Sequence, residues 1–344
     1  MINVAILGAG GIAQKMARTL KGMIAQGNEG VAMHSVASRD GEKALSFARE
    51  YGFEKAYGSY EEMLRDPDVD LVYVATPHSH HYEQMMMCLK HGKHILCEKA
   101  FTINARQAEE VLALAREKGL YVAEAIWTRY LPSRKMIDDL IAGGAIGKPR
   151  MVMANLAYVL DHVERMIRPE LAGGALLDLG VYALNFAAMV LGKDVIDIQA
   201  VAQMHETGVD MQDSITLTFA GGEMAVLCAA MNCAGDSRGV VYGTKGTLTA
   251  DNINNPGVIT VVPYLKAEET RTYPVPKQIT GFEYQVQAAV DAIERGQVEC
   301  EAIPHDETIR IMKLMDDTRH LGLPVPKRIN GQTKPPDPVD PAFF

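Results

Sequence analysis

The sequence predicts an α/β chain in two parts: a doubly wound parallel sheet, then an α+β domain with a large, mostly antiparallel open sheet. Three observations carry this. Residues 1–125 alternate strand-like and helix-like segments at βαβ spacing. Beyond Gly147-Lys148-Pro149, strand candidates follow one another without helices between them. The chain has 344 residues and 48% hydrophobic content, enough for two cores at roughly 150 residues per domain.

Taken in order, Val4–Leu7 reads as a short buried strand, and Ile12, Met16, Leu20 and Met23 then recur at helical spacing. Val31–Ala37 is a second strand, followed by a helix through Glu42–Tyr51. Ser59 and Glu62 form a capping box that opens another helix. Val69–Ala75 is a β-branched run, apolar but for Asp70, as in a strand covered on both faces. Helix His80–His91, strand His94–Cys97, helix Asn104–Lys118 and strand Tyr121–Ala125 complete the first unit. Later strand candidates are Arg150–Tyr158, Val195–Met204, Ser214–Ala220, Glu223–Met231, Gly246–Ala250 and Val258–Val262. Short turns such as Gly221-Gly222 imply antiparallel pairing. Helices are expected at Phe282–Arg295 and Asp306–Leu321. Pro335, Pro336, Pro338 and Pro341 predict an extended tail over 331–344. The expected domains are therefore 1–125 and 126–330, with 331–344 as the tail.

Several function classes are set aside by composition. The formal charge is −9 and no lysine/arginine run supplies a nucleic-acid patch. No apolar run is read as reaching the ~20 residues of a membrane span. The N-terminus runs straight into a strand without a charged lead-in, so no signal peptide is expected. Cys88, Cys97, Cys228, Cys233 and Cys300 are odd in number and contain no CxxC pair. No disulfide framework or zinc site is expected, and a reducing cytoplasm is the simplest setting.

Gly8-Ala9-Gly10-Gly11-Ile12-Ala13 matches G-x-G-x-x-A between the first strand and an amphipathic helix, the context that marks a dinucleotide-binding Rossmann unit. Gly8 permits the turn, Gly10 lets backbone approach the pyrophosphate, and Ala13 allows close helix–strand packing. The helix N-terminus offers N–H groups to the phosphates. At the end of the second strand, Ser38-Arg39 stands where an NAD site usually carries an acid. A guanidinium and a hydroxyl suit a 2′-phosphate, so NADP is the expected cofactor. NAD is the alternative, because Asp40 could serve the ribose.

Together with that turn, Ala75-Thr76-Pro77-His78-x-x-His81 and Gly92-Lys93-His94-Ile95-Leu96-Cys97-Glu98-Lys99 closely resemble the glucose–fructose oxidoreductase/inositol dehydrogenase family, Gfo/Idh/MocA. Two further stretches, 124–129 (EAIWTR) and 173–182 (GGALLDLGVY), resemble the branch containing dimeric dihydrodiol dehydrogenase and NADP-dependent D-xylose dehydrogenases. The resemblance implies a Rossmann domain, a substrate-binding and dimerisation domain, and NADP-dependent oxidation of vicinal diols or aldoses. It implies catalytic roles for Lys99, Asp178 and Tyr182. It implies cofactor contacts from the glycine turn, from Thr76, Pro77, His78 and His81, from Glu98 and Lys99, and from Trp127 and Arg129 near the substrate pocket. Ala100 stands where the family usually has proline, which leaves the aim of Lys99 as a point for the structure.

Hydride transfer from an alcohol requires an acid/base within hydrogen-bond reach of the hydroxyl. Lys99 lies at the carboxyl edge of the sheet, where α/β folds bind ligands. Desolvation beside a cationic nicotinamide is expected to lower its pKa towards neutrality. Asp178 and Tyr182 are i and i+4, so on a helix they share a face, and Gly173-Gly174 permits close backbone approach. The plainer readings are a solvated Lys99, a Tyr182 ring packed in the core, and Asp178 as a helix cap. His78, His80 and His81 point in different directions, so no metal site is expected. Met85, Met86 and Met87 read as core filling. Substrate selection is expected from Leu156–Arg168. A homodimer or higher oligomer is expected through the C-terminal sheet, whose helices are too few to cover both faces. Two other readings remain at this stage: a non-catalytic NADP-binding regulator, and a sugar-modifying enzyme that keeps and recycles its cofactor.

Overall fold

The structure, a computed structural model, describes residues 1–321. The expected tail over 331–344, and the end of the second expected domain, lie outside the described residues. The first unit runs β1 (Ile2–Leu7), α1 (Gly11–Ala25), β2 (Val31–Ala37), α2 (Gly41–Tyr51), β3 (Lys55–Tyr57), α3 (Tyr60–Arg65), β4 (Leu71–Val74), α4 (His78–Lys90), β5 (His94–Glu98), α5 (Ala105–Lys118) and β6 (Val122–Ala125). Its six strands are all parallel in the order β3-β2-β1-β4-β5-β6. That is the doubly wound order whose reversal point, between β1 and β4, forms a ligand crevice at the carboxyl ends. β4 is buried at every residue, as its apolar run requires. The helices start on side-chain caps where polar residues precede them: Asp40 accepts from the Lys43 N–H, Ser59 from Glu62 and Asn104 from Gln107.

After α6 (Pro132–Ala142) come β7 (Pro149–Ala157), α7 (Val181–Leu191), β8 (Val195–Met204), β9 (Asp210–Phe219), β10 (Met224–Ala230), β11 (Gly239–Gly243), β12 (Gly246–Ala250), β13 (Val258–Pro263), β14 (Arg271–Pro274), α8 (Glu283–Glu294) and α9 (His305–Leu321). The eight strands order as β14-β13-β12-β11-β7-β10-β9-β8. All neighbours are antiparallel except β7 and β10, which run parallel, so the sheet is mostly antiparallel as expected. α7 packs on β7, β10 and β11. α9 returns against α5 of the first unit, tied by Lys313 to Glu109 and Arg116 to Asp306.

Sequence patterning misses β3, β11, β14 and α6. Three of these are strands of five residues or fewer whose pairing comes from distant neighbours. α4 begins at His78, two residues before the expected start, because Pro77 occupies the cap. Leu176–Gly180 forms a π-helical turn that leads into α7. Asp178 and Tyr182 therefore do not sit on one regular helix. The membrane reading is also corrected. Pro169–Leu191 is long and apolar enough to cross a bilayer, with mean hydropathy 1.7, but 83% of that apolar window is buried inside the protein, as in a core helix.

Candidate active site

At the crevice, Gly8 has φ +108°, and a Cβ there would lie 2.9 Å from the Ala75 carbonyl oxygen. Only glycine fits where β1 turns past β4. A Cβ on Gly10 or Gly11 would instead meet nothing within 4 Å. Gly10 caps α1 without any side-chain bond, and Ala13 is fully buried. Bare N–H groups beside open space fit a pyrophosphate. At the end of β2, Ser38 is buried and its hydroxyl accepts from the Asp40 N–H, while Arg39 is exposed beside the Tyr60 phenol. Asp40 uses its carboxylate to cap α2, which leaves Arg39 as the charged group presented there.

The next turn is held from behind. The Thr76 hydroxyl donates to Gln84, and the buried His81 ring lies 2.9 Å from the carbonyl oxygens of both Thr76 and Ala100. His81 thereby joins this turn to the strand end that carries Lys99. The Lys99–Ala100 peptide is cis. His78, in the first turn of α4, has its Nδ1 3.2 Å from the Ala172 carbonyl oxygen, and its Nε2 is 3.8 Å from Asp178. Burial drives His78 down to about 3, so the ring is neutral at physiological pH.

Lys99 projects from the end of β5 onto the π-turn. Its Nζ donates to the Asp178 carboxylate and to the Asp178 carbonyl, each at 2.8 Å. It also lies 5.0 Å from the centroid of the Tyr182 ring. A phenol oxygen is one ring radius and one bond from that centroid, so amine and hydroxyl are at most about 8 Å apart. Trp127 Nε1 donates to the Tyr182 hydroxyl at 3.2 Å. Burial pushes Tyr182 up to about 12, against the pull of the Lys99 cation and the indole N–H. Burial also works against the Asp178 carboxylate, yet Lys99 and then Arg165 hold it well below the usual carboxylate range.

The expected lowering of the Lys99 pKa is overturned. Burial does disfavour the ammonium, but the charge on Asp178 and the neighbouring Tyr182 outweigh it, so the amine is held above its ordinary value. Behind it, Glu98 accepts from the Tyr73 hydroxyl and the Lys99 N–H, and burial raises its pKa. Glu98 thus braces the strand end beneath the amine.

Two residues that the sequence reading did not single out complete the cluster, although Arg165 lies in the Leu156–Arg168 stretch expected to select substrate. Arg165 donates from both terminal nitrogens to the two oxygens of Asp178, at 3.2 Å each. Lys15 of α1 lies 4.0 Å from the ring centroids of both Trp127 and Phe282. The G-x-G-x-x-A context could have flagged Lys15 by its position on α1; Arg165 carries no motif. Arg129 is not brought to Lys99: its guanidinium bonds to Asn185 and Glu307 inside the protein. His80 takes no part in the cluster. His34, Asp66 and Asp68 converge closely enough to hold a metal, but Asp66 already accepts from His34, Lys55 and Tyr57, and the Lys55 ammonium fills the place of a cation.

A phosphate-ready glycine turn, with a lysine–carboxylate–tyrosine cluster at the carboxyl edge of the same sheet, defines a nicotinamide-dependent dehydrogenase. Residues 2–125 match the family model of the oxidoreductase family with an NAD-binding Rossmann fold, and residues 135–249 match the Gfo/Idh/MocA C-terminal domain. The chain belongs to the Gfo/Idh/MocA oxidoreductase family. It is 34% identical to trans-1,2-dihydrobenzene-1,2-diol dehydrogenase of Bos taurus, covering 85% of this chain and 90% of that one. The Mus musculus protein of the same name is 31% identical, over 94% and 97%. Among solved structures, a 3-ketoreductase from Actinomadura kijaniata, in complex with NADP and TDP-benzene, superposes with TM-score 0.84 at 27% identity, covering 93% and 97%. An aldose-aldose oxidoreductase from Caulobacter crescentus shares the fold, with TM-score 0.83 at 23% identity over 93% and 97%.

Proposed function

We propose that this protein is an NADP-dependent dehydrogenase that moves hydride between the nicotinamide and a secondary alcohol of a sugar, polyol or cyclic vicinal diol. Residues 1–125 serve as the nucleotide unit, and 126–330 as the substrate-binding and dimerisation unit. The observation that carries this reading is the meeting of Lys99 with Asp178 and Tyr182 beside the glycine turn. The names of the relatives support the substrate class.

Gly8, Gly10, Gly11, Ile12 and Ala13 would hold the pyrophosphate, Ser38 and Arg39 the 2′-phosphate, and the Thr76–His78 turn the nicotinamide end. When bound, the nicotinamide accepts or supplies the hydride. The proton is handled by the chain. Lys99 stays an ammonium because Asp178 neutralises it, so it polarises the reacting oxygen rather than taking its proton. Tyr182 receives the indole N–H on its oxygen, which leaves its own proton directed to the substrate. In reduction the phenol donates that proton; in oxidation its phenolate, steadied by Lys99 and Trp127, accepts it. The test is NADP⁺ reduction across cyclic trans-diols, aldoses, inositols and linear diols, with NAD⁺ in parallel. Turnover of a diol or aldose with NADP⁺ supports the reading, and no turnover with any of them rejects it.

We further propose a homodimer or higher oligomer through the face of the second sheet that carries Met153 and Met224. Met153 and Met224 are each 42% exposed there, with Val226 paired to Met153 and Met224 to Met151 across the parallel strands. An apolar face of this kind marks a protein contact. Light scattering at micromolar concentration that returns the mass of one chain would reject the oligomer. Free cysteines, three of them buried, support a reducing cytoplasm as the setting.

A further inference from the structure

Residues 160–173 leave the second sheet after β7 and double back over the π-turn. Leu160 donates its N–H to the Met231 carbonyl at 2.7 Å, and Gly174 donates to Met166 at 2.9 Å. A Cβ on Gly173 would overlap the Met166 and Arg165 carbonyl oxygens. The glycine pair therefore lets backbone 165–166 lie directly on the start of the π-turn. That close approach is what brings the Arg165 guanidinium onto Asp178.

The two partners differ sharply in access. The Asp178 side chain is 7% exposed, and that of Arg165 is 45% exposed. Arg165 stands on the solvent side of the cluster, with Lys99 on the buried side of the same carboxylate. Among the described residues, Arg165 bonds to Asp178 alone, and it shares that charge with Lys99. The neighbouring Arg168 is balanced separately by Glu164 and Glu170. A guanidinium has five N–H donors, and Asp178 takes only two of them. The others remain at the mouth of the site.

We propose that Arg165 is a specificity-determining residue that, with Asp178, reads a hydroxyl on the carbon next to the reacting one. This rests on the alcohol-oxidising reading above. An adjacent hydroxyl needs one acceptor and one donor. The outer carboxylate oxygen of Asp178 supplies the first, and a remaining N–H of Arg165 supplies the second. Lys99 and Arg165 bring two positive charges against the one on Asp178, so a carboxylate is the competing ligand for the same place and the hydroxyl must be distinguished from it by binding. Lys99 and Tyr182 are left for the reacting oxygen. Within the sugars, polyols and vicinal diols already proposed, this assigns the neighbouring hydroxyl to Arg165 and Asp178.

Calorimetric binding to the NADPH-loaded protein, where an alcohol has no hydride acceptor, tests this without turnover. The probes are trans-1,2-cyclohexanediol, cyclohexanol and a cyclic 2-hydroxy acid. Wild type should bind the diol roughly tenfold or more tightly than the mono-alcohol, the scale of one charge-assisted hydrogen bond. Arg165→Gln should bring that ratio to near one, and Arg165→Lys should restore part of it. NADP⁺ affinity and the melting temperature serve as folding controls for both variants. No diol preference in wild type, an unchanged ratio in Arg165→Gln, or tighter binding of the 2-hydroxy acid than of the diol would each overturn the proposal. An alcohol panel that yields no turnover while the diol preference persists would reject the dehydrogenase reading alone, so the two failures are distinguishable.

Discussion

The two sheets contribute to the site by different means. The parallel sheet supplies a cradle whose parts are close in sequence: Gly8 to Ala13 form the turn, and Ser38 and Arg39 end the next strand. The groups that face the reacting oxygen meet over long separations instead: Lys99 comes from the end of β5 in the parallel sheet, Asp178 from the π-turn and Tyr182 from α7, which packs on the second sheet. Asp178 meets Lys99 from 79 residues away, and Trp127 meets Tyr182 across 55. The cradle is mostly backbone shape, while the cluster is mostly charge and burial. Damage to the first should therefore appear as lost affinity, and damage to the second as lost turnover.

The largest expected effect breaks the second region and spares the first. Tyr182→Phe and Lys99→Met should each lower kcat by about 10²–10⁴, the range of general acid–base catalysis, with NADP⁺ binding unchanged by titration. A loss of cofactor affinity in step with kcat would erase the division between the two regions. The pH dependence sharpens it. Burial holds Tyr182 protonated up to about 12. In oxidation the phenolate fraction grows with pH, so kcat/KM should climb from neutral into the alkaline range, and Tyr182→Phe should remove that slope. Reduction uses the phenol and should show no such rise. A bell centred near neutrality that survives Tyr182→Phe would assign the proton elsewhere.

The next effect is on stability. Arg129 and Glu307 form a buried pair that ties residues 127–129 to α9, with Arg310 also on Glu307. Glu307→Gln leaves the Arg129 cation buried without its charge partner and should cost about 3 kcal/mol in denaturant unfolding. Burial works against the Glu307 carboxylate, yet Arg310 and Arg129 hold it down to about 2. A depressed folded value contributes stability that is present above the unfolded carboxylate value of ~4.3 and is lost as pH falls towards 2. The gap between wild type and Glu307→Gln should therefore narrow below about pH 4. A gap that stays constant with pH would show that the pair contributes packing and not charge.

The smallest effect lies in the cradle. Arg39→Ala should weaken NADP⁺ by about 1–3 kcal/mol, the range of hydrogen bonds to a charged group, and leave NAD⁺ nearly untouched. Equal losses for both cofactors would remove Arg39 from the 2′-phosphate.

The same contrast explains what the sequence could disclose. The glycine turn, the Ser59 cap and the buried β4 run are legible because each is set by neighbours in the chain. Lys99, Asp178 and Tyr182 were reached through resemblance, and their mutual geometry was not readable. The rise in Lys99 pKa depends on a carboxylate brought in by the π-turn, which helical periodicity does not reveal. Arg165 was legible only as one position of the Leu156–Arg168 stretch expected to select substrate: it is the fold-back at Gly173 that turns it towards Asp178. Arg129 shows the converse. Its motif was legible, but its partner Glu307 is 178 residues away and engages the guanidinium inside the protein.

The most direct test of a site shared by the two regions is a double-mutant cycle on turnover. Lys99→Met, Tyr182→Phe and the double variant are compared in single-turnover hydride transfer with saturating NADP⁺. Lys99 and Tyr182 acting on one oxygen should fail together, so the double variant should be within a few-fold of the worse single one. Losses that multiply would mean that the lysine and the tyrosine act independently, and would contradict a joint acid–base site.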